Sequence, residues 1–408
     1  MVLRLIDRPE FLLNWINKVL DSTAESEAPE VFYYWSALAV LSAVLGKDVY
    51  LDRYYYKLYP NIYVLTIARS GLRKGNPVIL AKALLEEVNT TRVISGRNSI
   101  QAAITDLGKA YSLEGGGVVK NAQGILISGE FAAFLLRDPD AFTILTDLYD
   151  THAHEREWKN TLKHSGTDKL REPCICLFGA TNDVHFQEAL PNDAIGGGFV
   201  ARTFLVHADK KRNINPLMDA PRLVPNVEDL STYLKEVAKL KGAFQMSQKA
   251  KTAYSEWYHE FSKLEHAKDT TGTMERVHDQ ILKVAMLISL SDSPELVIKT
   301  AHLLEATEKC MDCASSVKRI TMGIGGKAPL ASQTATVLKE LLSHPEGVGR
   351  VKLLQRNCWE FDAIDLDRIV ETLLQSKAIE IKGKGAGIVY KISKSTLETY
   401  TKYQKEMR

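Results

Sequence analysis

Lys74 is the residue best placed to do chemistry. It lies in the stretch NIYVLTIARSGLRKGNPVI (61–79), which reads as a buried strand, a short turn and the start of a helix. A lysine at such a junction can reach the terminal phosphates of a nucleotide while backbone N–H groups of the turn and the helix dipole cradle the rest. Gly71 supplies the tight turn, and Ser70, Arg73, Lys74, Gly75 and Asn76 are the expected phosphate-binding set. The stretch departs from G-x-x-x-x-G-K-[ST]: Ala68 and Arg73 replace the two glycines, and Gly75 replaces the hydroxyl that meets Mg²⁺. Thr66, Ser70 and Ser128 are the candidate replacements for that hydroxyl. The competing reading is an ordinary strand–turn–helix with a surface lysine.

Three further segments follow in order. GILISGEFAAFL (124–135) is an apolar strand ending in Ser128-Gly129-Glu130; Glu130 can polarise an attacking water, whereas Gly129 stands where an acid for the Mg²⁺ water shell is usual. Otherwise Glu130 is a carboxylate stabilised by a helix N-terminus. CICLFGATNDVHF (174–186) is a buried strand with Asn182 at its tip, where it either orients a water or caps the next helix. PNDAIGGGFVARTFLV (191–206) places three glycines and then Arg202 ahead of a strand. An arginine projecting at a subunit boundary can stabilise the transition-state charge on a neighbour's nucleotide; alternatively it pairs with an acid of its own subunit.

These residues need a scaffold that brings them to one place. Apolar runs at 62–68, 92–95, 124–128, 174–180 and 201–208 alternate with helical patterns at 77–88, 99–111, 130–136 and 141–150. That alternation predicts an α/β domain with a mostly parallel sheet. Residues 1–58 read as helical up to Gly46, with a short strand pair near Val49–Tyr59. Pro216, Pro221 and Pro225 mark 211–245 as a linker or irregular segment, and 246–322 reads as all-helical. From 331 the order is helix, helix, helix, then two strands joined by Gly-Lys-Gly-Ala-Gly, the order of a winged helix.

The runs PNIYVLTIARSGLRKGNP, ILISGEFAAFL, LTDLYD, PCICLFGATND and GGGFVARTFLV together resemble the AAA+ ATPase domain of phage- and plasmid-borne replicative helicases, including primase–helicase C-terminal domains and MCM-like self-loading helicases. The resemblance covers roughly residues 30–320, and in this group S-G-x-x-K is a frequent form of the phosphate-binding turn. It implies a helical N-terminal segment (1–58), an AAA+ P-loop core (59–245), a helical lid (246–326) and a winged-helix domain (327–408). It implies ATP and Mg²⁺ as cofactors, a homo-hexameric ring, translocation on single-stranded DNA, and priming by a separate primase or polymerase. Glu130, Asn182 and Arg202 become the catalytic set. Arg276, at the start of ERVHDQILKVAMLISL, becomes a second sensor reaching the γ-phosphate, against the plainer reading of a solvated charge beside Glu275. The alternative is an AAA+ scaffold without hydrolysis (an initiator, loader or assembly protein), which Ala68, Gly75 and Gly129 favour.

The segment THAHEREWKNTLKHSGTDKLRE (151–172) lies where related ring helicases insert a DNA-contacting hairpin. Arg156, Lys159, Lys163, Lys169 and Arg171 offer phosphate contacts and Trp158 a stacking surface, although Glu155, Glu157, Asp168 and Glu172 offset most of that charge. His152, His154 and His164 read as a solvated cluster rather than a metal site. Lys382 and Lys384 lie in the expected wing, whereas the third helix, DLDRIVETLLQ, is acidic, which favours phosphate contact through the wing alone or a protein contact.

Composition sets the outer bounds. A formal net charge of +2 over 408 residues confines any nucleic-acid surface to local patches. The five cysteines form no disulfide pattern, and Cys310-x-x-Cys313 lacks the second pair of a zinc site, so a reducing, cytoplasmic setting is expected. The first residues carry charges through their apolar run, unlike a signal peptide, and no apolar run is long enough to span a membrane.

Overall fold

A computed structural model of the chain describes residues 14–398 apart from 97–98, 110, 113–117, 120, 132–139, 151–156, 163–165, 191–195, 197, 216–224, 265–268, 270, 322–329 and 384–386. By contacts it divides into two units, Met1–Ile320 and Thr321–Arg408.

The first unit opens with α1 (Trp15–Ser22) and α2 (Glu30–Leu45). Helix α2 is apolar on every side, and all its residues from Phe32 to Leu45 are buried. A helix without a polar face must be enclosed, and α1, α3 (Gly75–Val88) and the central sheet enclose this one. Two short strands follow α2, β1 (Val49–Asp52) and β2 (Lys57–Leu58).

The central sheet is parallel and has five strands: β3 (Tyr63–Ile67), β4 (Arg92–Ser95), β7 (Gln123–Ser128), β10 (Cys174–Thr181) and β11 (Thr203–His207), in the spatial order β11-β3-β10-β7-β4. Every residue of β3 and β10 is buried, as expected for inner strands covered on both faces. The five apolar runs read from the sequence are these five strands. Between them lie α3, α4 (Ile100–Leu107), a short pair β5 (Tyr111–Ser112) and β6 (Val118–Val119), α5 (Ala141–Tyr149), the antiparallel hairpin β8 (Glu157–Leu162) and β9 (Gly166–Arg171), α6 (Asp183–Ala189) and the single turn α7 (Phe199–Arg202). Helix α4 ends four residues earlier than expected, before Gly108, whose N–H closes the last turn onto Ile104 O. Most of the expected helix at 130–136 lies outside the described residues.

The segment 211–245 differs from the expected linker. It holds α8 (Val227–Val237) and β12 (Gly242–Met246). Asn226 caps α8 by accepting from Asp229 N at 3.3 Å, and Leu230, Leu234 and Val237 form the buried stripe that packs along α3. The three prolines precede this helix. Helices α9 (Gln248–Ser262), α10 (Thr273–Asp292) and α11 (Thr300–Thr321) follow, interrupted by β13 (Val297–Ile298). Strands β12 and β13 join β1 and β2 in a second sheet of order β13-β12-β1-β2. Central residues of α10, from Gln280 to Ser291, are buried, so this helix belongs to the main core.

The second unit has its own core. Helices α12 (Ala331–Ser343), α13 (Arg350–Asn357) and α14 (Ala363–Gln375) pack with the antiparallel sheet of β14 (Val348–Gly349), β15 (Ile379–Lys382) and β16 (Val389–Ile392), around Val337, Leu341, Leu353, Leu366 and Ile369. Among the described residues no helix is long and apolar enough to cross a membrane.

Candidate functional site

Parallel strands place all their carboxyl ends at one edge, and the sequence candidates are found there. Thr181 pairs with Ile67, and Ser128 pairs with Gly179 two residues earlier on β10. The turns after β3, β10 and β7, carrying Lys74, Asn182 and Glu130, therefore lie side by side. The tips of β3 and β7 are two strand spacings apart, roughly 10 Å. In open α/β sheets this edge is where ligands bind.

The turn after β3 is tight. Gly71 adopts φ +91° and Arg73 φ +55°, so the chain reverses tightly before α3. Helix α3 begins at Gly75 with no side-chain cap and no acid in its first turn. Asn76 N–H donates to Arg73 O at 3.0 Å and Pro77 has no N–H, so what this helix start offers a negative partner is the Gly75 N–H and the positive end of the dipole. Lys74 Nζ curls back across the turn and donates to Ala68 O at 3.3 Å. A side chain added at Gly71, Gly75 or Gly129 would meet nothing within 4 Å, so the space in front of these turns is open. Ser70 is exposed beside it. Thr66, by contrast, is fully buried and donates to Gly179 O at 3.1 Å, which removes it as the replacement hydroxyl.

A buried acid that sequence reading missed fixes this turn. Glu27, in the loop between α1 and α2, is 5% exposed. Its carboxylate accepts from Arg73 Nε at 2.9 Å and from Lys211 Nζ at 2.9 Å. The Lys211 ammonium and then the Arg73 guanidinium hold the carboxyl down to about 2. Arg73 is thus engaged with an acid of its own chain, whereas Lys74 donates to a backbone carbonyl of the turn. In the sequence Glu27 is one of three acids in ESEAPE, with nothing local to tie it to a turn 46 residues away.

Glu130 is exposed at the tip of β7, its backbone N–H donating to Ser128 Oγ at 3.2 Å. Asn182 caps α6: its Oδ1 accepts from His185 N at 2.7 Å and its Nδ2 meets His185 Nδ1 at 2.9 Å. The capping alternative therefore describes its present geometry. One N–H of the amide group is still available to a water.

Arg202 and Arg276 are at the opposite edge. Thr203, the residue after Arg202, pairs with Tyr63 at the amino end of β3. Five strand residues, roughly 16 Å, separate that end from the Lys74 turn. Arg202 donates through Nε to Asp150 Oδ2 at 2.9 Å and through Nη1 to Gly198 O at 3.0 Å, and Arg276 reaches the same Asp150 oxygen at 3.3 Å. Helix α10 delivers Arg276 to the far edge of the sheet, beside Arg202, and not to the Lys74 turn of its own chain. Both arginines line an open cavity of about 560 Å³ together with Lys57, Tyr149, Asp279 and Lys283.

Lys283 anchors the floor of that cavity. It is buried, donates to Asn61 O at 3.0 Å and Asn61 Oδ1 at 2.8 Å, and lies 3.9 Å from the centre of the Tyr149 ring. Burial pushes its amine from 10.5 down to about 8. Between those values the unfolded chain holds a proton that the folded chain has released, so this group makes stability rise as pH increases from about 8 to about 10.5. The full difference is on the order of 3 kcal/mol. Lys283→Met should lose this rise. Urea denaturation of both proteins at pH 7.5 and pH 10 checks it, because their difference cancels the tyrosines and cysteines that titrate in the same range.

Of the DNA candidates, Lys159 and Lys169 lie opposite each other on the β8–β9 hairpin, both exposed, with Glu157 bridging them at 3.2 Å and 3.8 Å. Trp158 is on the other face, opposite buried Leu170, and its neighbour Asn160 donates to Gln101 Oε1 of α4 at 3.1 Å. The half-buried ring is thus turned away from the basic face on which a base would stack. Lys382 is exposed at the end of β15. Arg156, Lys163 and Lys384, with His152, His154 and His164, lie outside the described residues. Among the described residues no group of three or more His, Cys, Asp or Glu side chains is arranged to hold a metal, and the five cysteines are free thiols. No known protein family matches the chain, and no curated protein matches it.

Proposed function

We propose that the chain is an AAA+-type ATPase that binds ATP at the carboxyl edge of the central sheet and works as a ring of identical copies on single-stranded DNA in the replication of a mobile genetic element. The observation that carries this is the convergence of the Lys74 turn, Glu130 and Asn182 at one sheet edge, in front of a helix N-terminus without a cap. Three separated segments meet where a triphosphate would need them.

In this reading Lys74 leaves Ala68 O to contact the β- and γ-phosphates, and the Gly75 N–H with the positive end of the α3 dipole meets the phosphate oxygens. Glu130 accepts a proton from the attacking water as the new P–O bond forms and the bond to ADP breaks, and Asn182 orients that water. The exposed Ser70, with Ser128 and Glu130 at the tip of β7, are the side chains that would hold the water shell of a Mg²⁺ ion, which would offset the charge of the triphosphate. Arg202 cannot serve the nucleotide of its own chain from the far edge, which supports a role toward the neighbouring copy. The second unit acts as a winged helix contacting DNA phosphates through Lys382, and the setting is cytoplasmic.

The hairpin β8–β9 is the proposed grip on single-stranded DNA. Lys159→Glu with Lys169→Glu should weaken single-strand binding at least tenfold and flatten its salt dependence by about two counterions. Fluorescence anisotropy of a labelled oligonucleotide across a salt series reads this out, and an unchanged slope would remove the hairpin from the interface. One observation favours a second reading, a non-hydrolysing AAA+ scaffold: Gly75 and Gly129 offer no side chain to metal, and the Thr66 hydroxyl is occupied. Binding of a fluorescent ATP analogue, competed by ATP and lost in Lys74→Ala, tests the nucleotide site common to both readings. A chain that binds no nucleotide refutes both.

A further inference from the structure

Three N–H donors from two arginines converge on one oxygen at the amino edge of the sheet. Asp150 Oδ2 accepts from Arg202 Nε at 2.9 Å, from Arg202 Nη2, and from Arg276 Nη1 at 3.3 Å. The Arg202 side chain is 11% exposed, and Gly198 O holds its third nitrogen, so its direction is set by the protein. Arg276 is 42% exposed and Asp150 30%, so this end of the arrangement opens to the cavity. Convergence of several guanidinium donors on one anionic oxygen is the demand that a phosphate oxygen meets. Lys57 and Lys283 line the same cavity, opposed by Glu275 and by Asp279, which accepts from Tyr56 Oη at 2.9 Å. The Tyr149 hydroxyl, also at this cavity, is buried with no partner among the described residues.

We propose that Arg202 and Arg276 form a binding site for the terminal phosphate of a nucleoside triphosphate carried by a second copy of the chain, and that Asp150 occupies this site until that phosphate displaces it. The inference rests on the proposed ATPase reading and adds to it a competitor built into each protomer. Asp150 at the carboxyl end of α5 then acts as a latch. Its carboxylate satisfies both guanidinium groups in the free protomer, and the incoming phosphate must exchange with it. A group that merely oriented the arginines would have the opposite effect on removal, because assembly would then weaken.

The test is assembly of the full chain against the concentration of ATPγS, followed by sedimentation velocity for wild type, Asp150→Asn and Asp150→Ser. Both variants should assemble at about tenfold lower ATPγS than wild type, since the phosphate no longer competes with a carboxylate. Adding Arg276→Ala to Asp150→Asn should abolish that gain. Equal or higher ATPγS requirements in the folded variants overturn the latch. Displacement of a fluorescent ATP analogue by ATPγS on the same samples separates the two levels. No binding by wild type overturns the ATPase reading and the latch together. Wild-type binding with unchanged assembly in Asp150→Asn overturns the latch alone.

Discussion

Arg202→Ala is expected to lower ATP turnover about a thousandfold while ATP binding at Lys74 stays within about twofold of wild type, the behaviour of an arginine that meets the phosphate only in the transition state. The geometry requires this separation. Arg202 precedes Thr203, which pairs with the first residue of β3, whereas Lys74 follows the last. The two cannot share one nucleotide within a chain, so a catalytic Arg202 must come from the adjacent copy. Such head-to-tail contacts generate rings. Mixing then gives a result that no single variant can. Lys74→Ala subunits bring an intact arginine, and Arg202→Ala subunits bring an intact lysine. In a randomly mixed ring about one interface in four carries both, so two nearly inactive proteins should regain up to about a quarter of wild-type turnover. No recovery on mixing, with assembly verified, would confine Arg202 to its ion pair with Asp150.

Lys74→Ala should lower ATP turnover at least tenfold and weaken nucleotide binding, whereas Glu130→Gln should lower turnover by a similar factor and leave binding nearly intact. The contrast follows from their positions. Lys74 belongs to the turn proposed to receive the phosphates, at the start of α3, which has no side-chain cap. Glu130 stands exposed at the tip of β7, two strands away, where it can meet a water but does not shape the turn. If both variants lost binding equally, Glu130 would be part of the cradle rather than the acceptor of the water's proton. Steady-state hydrolysis beside binding of the fluorescent analogue separates these outcomes.

The elements that carry the site were legible because their signals are local. The five apolar runs bounded by turn residues are the five parallel strands, with ends shifted by at most two residues. Lys74, Glu130 and Asn182 were legible for the same reason, each lying in the turn that follows a strand. Relations across the chain were not. No periodicity states that β3 inserts between β11 and β10, and that order decides which edge each residue faces. The sequence therefore does not say that Arg276 stands at the edge opposite its own chain's Lys74. Glu27 and Asp150 went unnoticed as partners because their cations lie 46 and 52 residues away. Strand β12 was hidden by its company: Gly242–Met246 is half-exposed and follows a proline cluster, so the residues that mark it as a strand do not form an apolar run. Trp158 illustrates the limit of residue type. An aromatic among lysines reads as a stacking surface, but strand alternation puts it on the face opposite Lys159 and Lys169.

ATP hydrolysis by the intact chain, measured with Mg²⁺ or Mn²⁺ in the presence and absence of single-stranded DNA, tests the central claim most directly. The proposed function predicts turnover above background that rises when single-stranded DNA is added and that falls at least about tenfold in Lys74→Ala. Nucleotide binding without any hydrolysis, with either metal and with DNA present, would contradict it and leave the chain as a scaffold that uses the same turn only to bind.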